Sequence, residues 1–591
     1  MVSLTFIRNV IEVAFFGMSL FMSILYLFCL PKAIHIFQQE GYQIRDYIRW
    51  INKNAKQVLM QYFREFIFCL IYFVYMLGTL FIIPFLSLNV AQKEFIVMLQ
   101  LFFYYVIFYS ITTRKIVAWK KERKHAKKKL VYTARVKRLF FFCFIALLLI
   151  VMTMQIENVK APNNEAFLVQ YYAVQVLSYS FLILTMPIVL IVGAFLALPT
   201  ETTIKDFYIS SARFKMIRPK YRNLIRIGIT GSYGKTSTKF ILKTILSEKY
   251  KVLATPESYN TTMGNIKVIR KELKPEHEVF ISEMGARHRG DIRKICEFVY
   301  PQIGLITSIG EQHLETFNTK DNIVKTKAEL LHAIPKKNES TIANMYSFMK
   351  ANYADSKCAI FLPVDHASCS ELYEKEKERN KFCYGIQEKK AYVSAKDIKV
   401  SAEGSTFTAI TSIGEIACTT KLLGELNIQN ILGAISISVF LGLSKEEIAR
   451  GVSKIEPVEH RLQVIKNPNG SIVIDDAFNS NPKGSKMALD VLKQFSGRKI
   501  IITPGMVELG QKEIEYNETF GKQMAKVVDI AILVGVKRSI PIEQGLKDGG
   551  FDSMNTYVVS SLEEATQKLA ELTKPGDVIL FENDLPDNYN E

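Results

Sequence analysis

Five runs of apolar residues, near 10–30, 66–88, 95–112, 139–154 and 176–196, crowd the first third of this 591-residue chain. A bilayer core about 30 Å thick takes about 20 apolar residues in helical form. The runs therefore predict an α-helical membrane domain of about five spans over 1–200, the fourth span being short. The first run has the general look of a signal peptide, but it lacks a small-residue cleavage site and further spans follow it. Lysine and arginine placement sets the orientation, because cytoplasmic loops keep positive charge. The loop after the first span holds Lys32, Arg45, Arg49, Lys53, Lys56 and Arg64, and the connection after the second holds only Lys93. The next loop has twelve Lys and Arg between Arg114 and Arg138 against Glu122 alone, and the segment after the fourth span carries Glu157, Lys160 and Glu165. This alternation predicts a multi-pass cell-membrane protein with its N-terminus outside and everything after about 200 in the cytoplasm.

A mean hydropathy of +0.11 beside a net charge of +18 joins two properties that seldom coexist, so the averages cover two unlike halves. The 49% hydrophobic content excludes disorder, and 30 Gly with 18 Pro exclude a collagen-like chain. Eight scattered cysteines without a CxxC argue against a disulfide scaffold or a zinc ribbon and fit a reducing compartment. The basic loop reads as a topology determinant or as a surface for anionic lipid headgroups or a lipid-linked phosphate, at about 1 kcal/mol per basic residue. Nucleic acid is not an expected partner, since the charge lies between spans and not on a globular domain.

From Leu224 the texture becomes that of an α/β protein. β-Branched runs at 225–230, 278–281, 303–308, 471–474, 499–503 and 530–534 alternate with helical-period segments, which predicts mostly parallel sheets covered by helices. The stretch 391–420, rich in Thr, Ser and Ile, predicts a small antiparallel insert. The first strand runs into Gly231-Ser232-Tyr233-Gly234-Lys235-Thr236-Ser237, followed by a helix over about 238–249. Such a turn offers backbone N–H groups and a helix N-terminus to phosphates, Lys235 adds a cation, and Thr236 can ligate magnesium. Two residues, not the usual four, separate the glycines of this loop.

Further motifs follow in order: Ser258-Tyr259-Asn260-Thr261-Thr262-Met263-Gly264-Asn265, Glu283-Met284-Gly285-Ala286, Thr307 to Glu315 with His313, and Lys325-Thr326-Lys327-Ala328-Glu329. Then come Leu423 to Asn430, His460-Arg461-Leu462, Ile474 to Pro482 with Asp475-Asp476, and Met506-Val507-Glu508-Leu509-Gly510. In these motifs the chain resembles the Mur ligase family, over roughly 223–585. Its last blocks are most similar to the members that add D-alanyl-D-alanine to a UDP-muramoyl tripeptide. The resemblance implies a central ATP-binding domain over 223–456 after a 201–222 linker, and a Rossmann-like C-terminal domain over 457–591.

It also implies ATP and Mg2+ as cofactors and an acyl-phosphate mechanism, in which metal ions and cations stabilise accumulating negative charge. Gly231 through Ser237 would hold phosphates, with Lys235 on the β- and γ-phosphates. Thr236 and Glu283 would bind one magnesium, and His313 with a carbamylated Lys327 a second metal. Asn427 and Asn430 would lie near the base, Arg461 would reach the γ-phosphate, and Asp475 or Asp476 the ribose. Taken singly, His313 reads as a satisfied histidine, Lys327 as a solvated helix lysine, and Glu283 and Asp475-Asp476 as capping acids. Family order and spacing favour the site reading.

The chain departs from the family at four places. A membrane domain is expected where the family has a soluble UDP-binding domain, which points to an acceptor presented at the membrane, such as a lipid-linked one. Leu426 replaces the usual histidine before Asn427, and Met345 and Tyr346 replace the aspartates near Asn344. Phe581 to Asp587 replaces a Lys-Gly-Ser loop with Glu582, Asp584 and Asp587, which suits an amine better than a carboxylate. The leading expectation is an ATP-dependent ligase joining a cell-envelope precursor to an amino acid or dipeptide at the cytoplasmic membrane face. A membrane-bound poly-γ-glutamate-type synthetase and a non-catalytic scaffold for wall-synthesis proteins are the alternatives.

Overall fold

A computed structural model of the chain describes residues 20–82, 85–87, 90–125, 129–159, 177, 181–257, 259–311, 314–336, 358–388, 390–478 and 480–584. It divides into two compact units, Met1–Lys205 and Asp206–Leu585. The described part of the first unit is built of helices, including Pro31–Gln39, Ile44–Lys53, Ala55–Ile82, Val90–His125 and Ala134–Val159, with Met186–Met216 beginning in it. Its core gathers apolar residues from several of them, such as Tyr26, Ile34, Phe108, Leu147 and Leu190. Tyr26 and Phe108 meet edge to face at 4.9 Å.

Among the described residues, two helical stretches are long and apolar enough to cross a bilayer, Ala134–Thr153 and Met186–Met216. They become three if Leu20–Leu27 and Pro31–Gln39, bent by 47°, count as one broken span. This is fewer than the five expected. Most of the first expected span lies outside the described residues. The second falls in a helix that opens with Lys56 and carries Arg64 and Glu65, which leaves a shorter apolar stretch, Phe66–Thr79. The third falls in Val90–His125, which runs on into the basic segment from Arg114. Three of the segment's basic residues have partners. Arg138 Nε donates to Glu201 Oε1 at 2.6 Å, Arg135 Nε lies 3.2 Å from Glu201 Oε2, and Lys115 sits over the Tyr62 ring. Residues 201–216, within the expected linker, continue the Met186–Met216 helix.

The second unit holds two sheets. Strands β1 (Ile225–Thr230), β2 (Val252–Ala254), β3 (Val279–Glu283), β4 (Ile303–Ile306), β5 (Ala359–Pro363), β6 (Lys381–Gly385), β7 (Val393–Ser401), β8 (Gly404–Thr411) and β9 (Gly414–Thr420) form one, in the order β2-β3-β1-β4-β5-β6-β7-β8-β9. Strands β2 to β7 pair in parallel, and β7 to β9 pair antiparallel. The stretch 391–420 is thus antiparallel as expected, yet it extends the main sheet instead of standing apart, because β7 pairs with β6 through Tyr384 and Val393. Strands β3, β4 and β5 are buried throughout, as parallel strands covered on both faces must be.

Strands β10 (Gln463–Lys466), β11 (Ile472–Asp476), β12 (Lys499–Thr503), β13 (Ile530–Val534), β14 (Thr556–Val559) and β15 (Val578–Glu582) form the second sheet, in the order β10-β11-β15-β12-β13-β14. Only β10 runs antiparallel. Seven helices matter for the site: α1 (Lys235–Leu246), α2 (Thr262–Lys271), α3 (Asp291–Val299), α4 (Lys320–Ala333), α5 (Glu425–Phe440), α6 (Pro482–Leu492) and α7 (Glu513–Met524). Helix α5 is buried on all sides from Asn427 to Val439, and its apolar residues share one core with α1, including Ile431, Ile435, Ile241 and Ile245. Caps set the helix starts. Thr261 accepts from Gly264 N, Thr319 from Asn322 N, and Asn481 from both Lys483 N and Gly484 N ahead of Pro482.

Candidate functional site

The site lies at the carboxyl edge of the first sheet, where ligands of open α/β sheets bind. Strand β1 delivers the chain into Gly231. A Cβ there would fall 2.0 Å from Thr307 Oγ1, so the neighbouring strand end leaves room only for glycine. Ser232 N donates to Ser308 O at 2.9 Å, Tyr233 N to Ser308 Oγ at 2.8 Å, and Ser232 Oγ to Gly310 O at 2.9 Å. Gly234 takes φ +81°, and a Cβ on it would lie 2.6 Å from Asn430 Oδ1, which sets α5 directly against the loop. Helix α1 starts at Lys235, earlier than expected, with Thr236 and Ser237 in its first turn. Lys235 Nζ folds back onto Gly231 O at 2.7 Å and Ser232 O at 3.0 Å. Burial, opposed by Glu283 and helped by Arg461, brings its amine down to about 8.

Glu283, the last residue of β3, is fully buried, and three side-chain donors reach its carboxylate. Oε1 accepts from Thr236 Oγ1 at 3.1 Å and from Asn260 Nδ2 at 3.1 Å. Oε2 accepts from Lys239 Nζ at 2.9 Å. Its backbone is held as well, by Asn265 Nδ2 on the carbonyl at 3.0 Å and by Thr255 Oγ1 on the N–H at 3.2 Å. A hydroxyl and a carboxylate oxygen side by side at a phosphate-binding loop form a hard oxygen set. Magnesium is usually bound by one or two carboxylates together with substrate phosphates, so these residues fit that ion. Among the described residues no group of three His, Cys, Asp or Glu could hold a metal by itself.

Lys327, on α4, is buried, and no described residue accepts a hydrogen bond from its amine. Burial first, and then the charge of Lys235, hold that amine well below the ordinary lysine range. His313 lies outside the described residues. The second sheet contributes Arg461, whose guanidinium lies over the Phe478 ring at 4.2 Å and feels both Glu283 and Asp476. Asp476 is pushed up to about 6 by burial, against Arg461 and the Leu462 N–H that donates to it at 3.2 Å. Asp475 instead pairs with His460 Nδ1 at 2.7 Å. Asn427 is buried and donates to Leu423 O at 2.8 Å.

Two family models match this chain. The Mur ligase middle domain covers residues 229–438, and the Mur ligase, glutamate ligase domain covers 460–582. The chain belongs to the Mur ligase family. As a Mur ligase it is an ATP-dependent ligase. The UDP-N-acetylmuramoyl-tripeptide–D-alanyl-D-alanine ligase of Bacillus subtilis is 27% identical over 369 residues, 60% of this chain and 72% of that protein. The enzyme of the same name from Buchnera aphidicola is 31% identical over 300 residues, 50% of this chain and 60% of its own length. The fold is similar to MurF from Acinetobacter baumannii, with a TM-score of 0.56, 24% identity, and coverage of 65% of this chain and 78% of that one. It is also similar to MurF ligase from Thermotoga maritima in complex with ADP, with a TM-score of 0.54, 23% identity, and coverage of 64% and 80%. Residues 1–228 of this Mur ligase precede both family models.

Several residues that bind this Mur ligase site together carry little sequence signal. Lys239 is one turn beyond Lys235 on α1, and that spacing alone points it toward the same edge. Glu311, just before His313, accepts from Lys512 Nζ at 3.2 Å and from the Tyr516 hydroxyl, and so bridges the two sheets of the unit. Lys483 Nζ lies 2.8 Å from His366 Nδ1 across the same cleft. Between them opens a cavity of about 380 Å3 lined by Tyr233, Gly310, Glu311, His366, Lys483 and Tyr516. The acidic C-terminal loop also differs from its expected character. Glu582 is buried, accepts from Thr503 Oγ1 at 3.0 Å and from the Ser480 hydroxyl, and burial pushes it up to about 8. Burial thus takes Glu582 out of the expected acidic surface, and among the described residues Asp584 is the exposed acid of that loop.

Proposed function

We propose that this Mur ligase joins the carboxylate of a peptidoglycan or other cell-envelope precursor to the amine of an amino acid or dipeptide, in the D-alanyl-D-alanine-adding manner or a variant of it. The observation that carries the reading is the convergence of Lys235, the Thr236–Glu283 pair, Lys327 and Arg461 on one phosphate-binding loop. A carboxylate is a poor electrophile. Transfer of the ATP γ-phosphoryl group to it gives an acyl phosphate, which the amine attacks at carbon with loss of phosphate.

In this reading the amides of Gly231 to Ser237 and Lys235 hold the β- and γ-phosphates. Lys235 leaves its internal carbonyl partners to do so, and its lowered affinity for a proton reflects a pocket waiting for negative charge. Thr236 and Glu283 hold magnesium, which supplies charge neutralisation on the phosphates. Arg461 approaches the same phosphates from the second sheet. The amine of Lys327, buried and with its affinity for a proton lowered by that burial, suits carbamylation, which would convert it to an anionic metal ligand, a role the family pattern shares with His313. Asn430 against Gly234, and Asn427 one turn earlier on α5, line the approach for the base, with Asp476 or Asp475 for the ribose.

The apolar helices Ala134–Thr153 and Met186–Met216, and the positive charge between Arg114 and Arg138, support a location in the cell membrane with the ligase unit on the cytoplasmic side. A lipid-linked acceptor suits that location. Detergent-purified protein with ATP and Mg2+ should release phosphate only when an acceptor (UDP-muramoyl-tripeptide or its lipid-linked form) and D-alanyl-D-alanine are both supplied. Lys235→Ala should lower that rate by about 100-fold or more. Phosphate release indifferent to the amine, or unchanged in Lys235→Ala, would overturn the reading.

A further inference from the structure

The two oxygens of Glu283 are not equivalent. Oε1 faces Thr236 and Asn260, whereas Oε2 is taken by Lys239 Nζ at 2.9 Å, an ion pair in which neither side chain has any solvent exposure. Lys239 reaches this position from the second turn of α1. Its Nζ also donates to the carbonyl of Glu257, a non-glycine residue at φ +41° in the loop that brings Asn260 to the carboxylate. A single ammonium group therefore pins one carboxylate oxygen and the loop that steadies the other. The phosphate chemistry derived above gives it no task.

We propose that Lys239 is a positioning residue for the divalent-cation site. By holding Oε2 it turns Oε1 of Glu283 toward Thr236, and it balances the charge of a buried carboxylate before the cation arrives. Groups that orient a metal-ligating carboxylate typically contribute about 10–100-fold in metal affinity. Lys239 acts through Glu283 and touches neither nucleotide nor acyl group, so its removal weakens cation binding and leaves nucleotide binding without the cation largely intact. The proposal rests on Glu283 being the magnesium ligand.

The test uses the full-length protein in detergent, with Mn2+ as the probe, titrated by electron paramagnetic resonance against ADP-loaded protein. ADP affinity in EDTA is measured alongside. Lys239→Met should weaken Mn2+ binding at least tenfold and change ADP affinity in EDTA less than about threefold. Lys239→Arg, which keeps the charge but moves the donors, should fold and show an intermediate loss. A folded Lys239→Met with unchanged Mn2+ affinity, or with an equal loss of ADP affinity in EDTA, overturns the proposal. So does a misfolded Lys239→Met beside a Lys239→Arg that binds Mn2+ like the wild type, since Lys239 would then serve the fold alone. If the wild type binds ADP in EDTA but Glu283→Gln leaves its Mn2+ affinity unchanged, the assignment of Glu283 fails, and the role of Lys239 with it.

Discussion

Glu582 shows how far one side chain's chemistry can depart from its letter. As part of an acidic terminal segment it reads as negative charge offered to a substrate. In the fold it sits beside Asp476 in parallel register and takes hydroxyl donors from Ser480 and Thr503. An unfolded glutamate releases its proton near 4.5, while folded Glu582 keeps it up to about 8, so between those values the folded state binds the extra proton. Stability from this residue is therefore present below about pH 4.5 and lost as pH rises toward 8. Glu582→Gln should melt close to the wild type at pH 5 and about 5 °C or more above it at pH 8.5, as read by thermal denaturation. The glycine-rich loop and Glu283 were legible because their residue types match phosphate and magnesium chemistry in family order. Two partners of Glu283, Lys239 and Thr255, were not, because they meet it only once β3 and α1 are packed.

At the scale of elements, sequence periodicity was a good guide wherever a strand is buried on both faces. The ranges 225–230, 499–503 and 530–534 match β1, β12 and β13 residue for residue, since β-branched runs ending in turn residues leave little choice. Edges were harder. The stretch 391–420 was readable as antiparallel, but whether β7 joins the larger sheet depends on its parallel pairing with β6, which no local pattern encodes. Helix α6 owes its start to Asn481, whose Oδ1 accepts from Lys483 N at 3.2 Å and Gly484 N at 3.0 Å. Asn481→Ala should cost about 1 kcal/mol and lower the melting temperature of the ligase unit by about 2–4 °C.

The molecule as a whole has a helical unit and a two-sheet ligase unit. Span number was less legible, since an apolar run can pass into a basic segment of the same helix without a sharp end, as in Val90–His125. If the two apolar helices are embedded, the full-length protein should stay with membranes through carbonate extraction at pH 11. Recovery in the soluble fraction would argue for peripheral attachment. Inside the ligase unit, the contact of Glu311 with Lys512 and Tyr516 ties the sheets together through charge at a partly exposed position. Such a tie is sensitive to ionic strength, because the screening length shrinks from about 10 Å in 0.1 M salt to about 3 Å in 1 M. Where reopening of the cleft is the slow step, moderate KCl should raise kcat at saturating ATP. A site that simply collects phosphates would respond in the opposite direction.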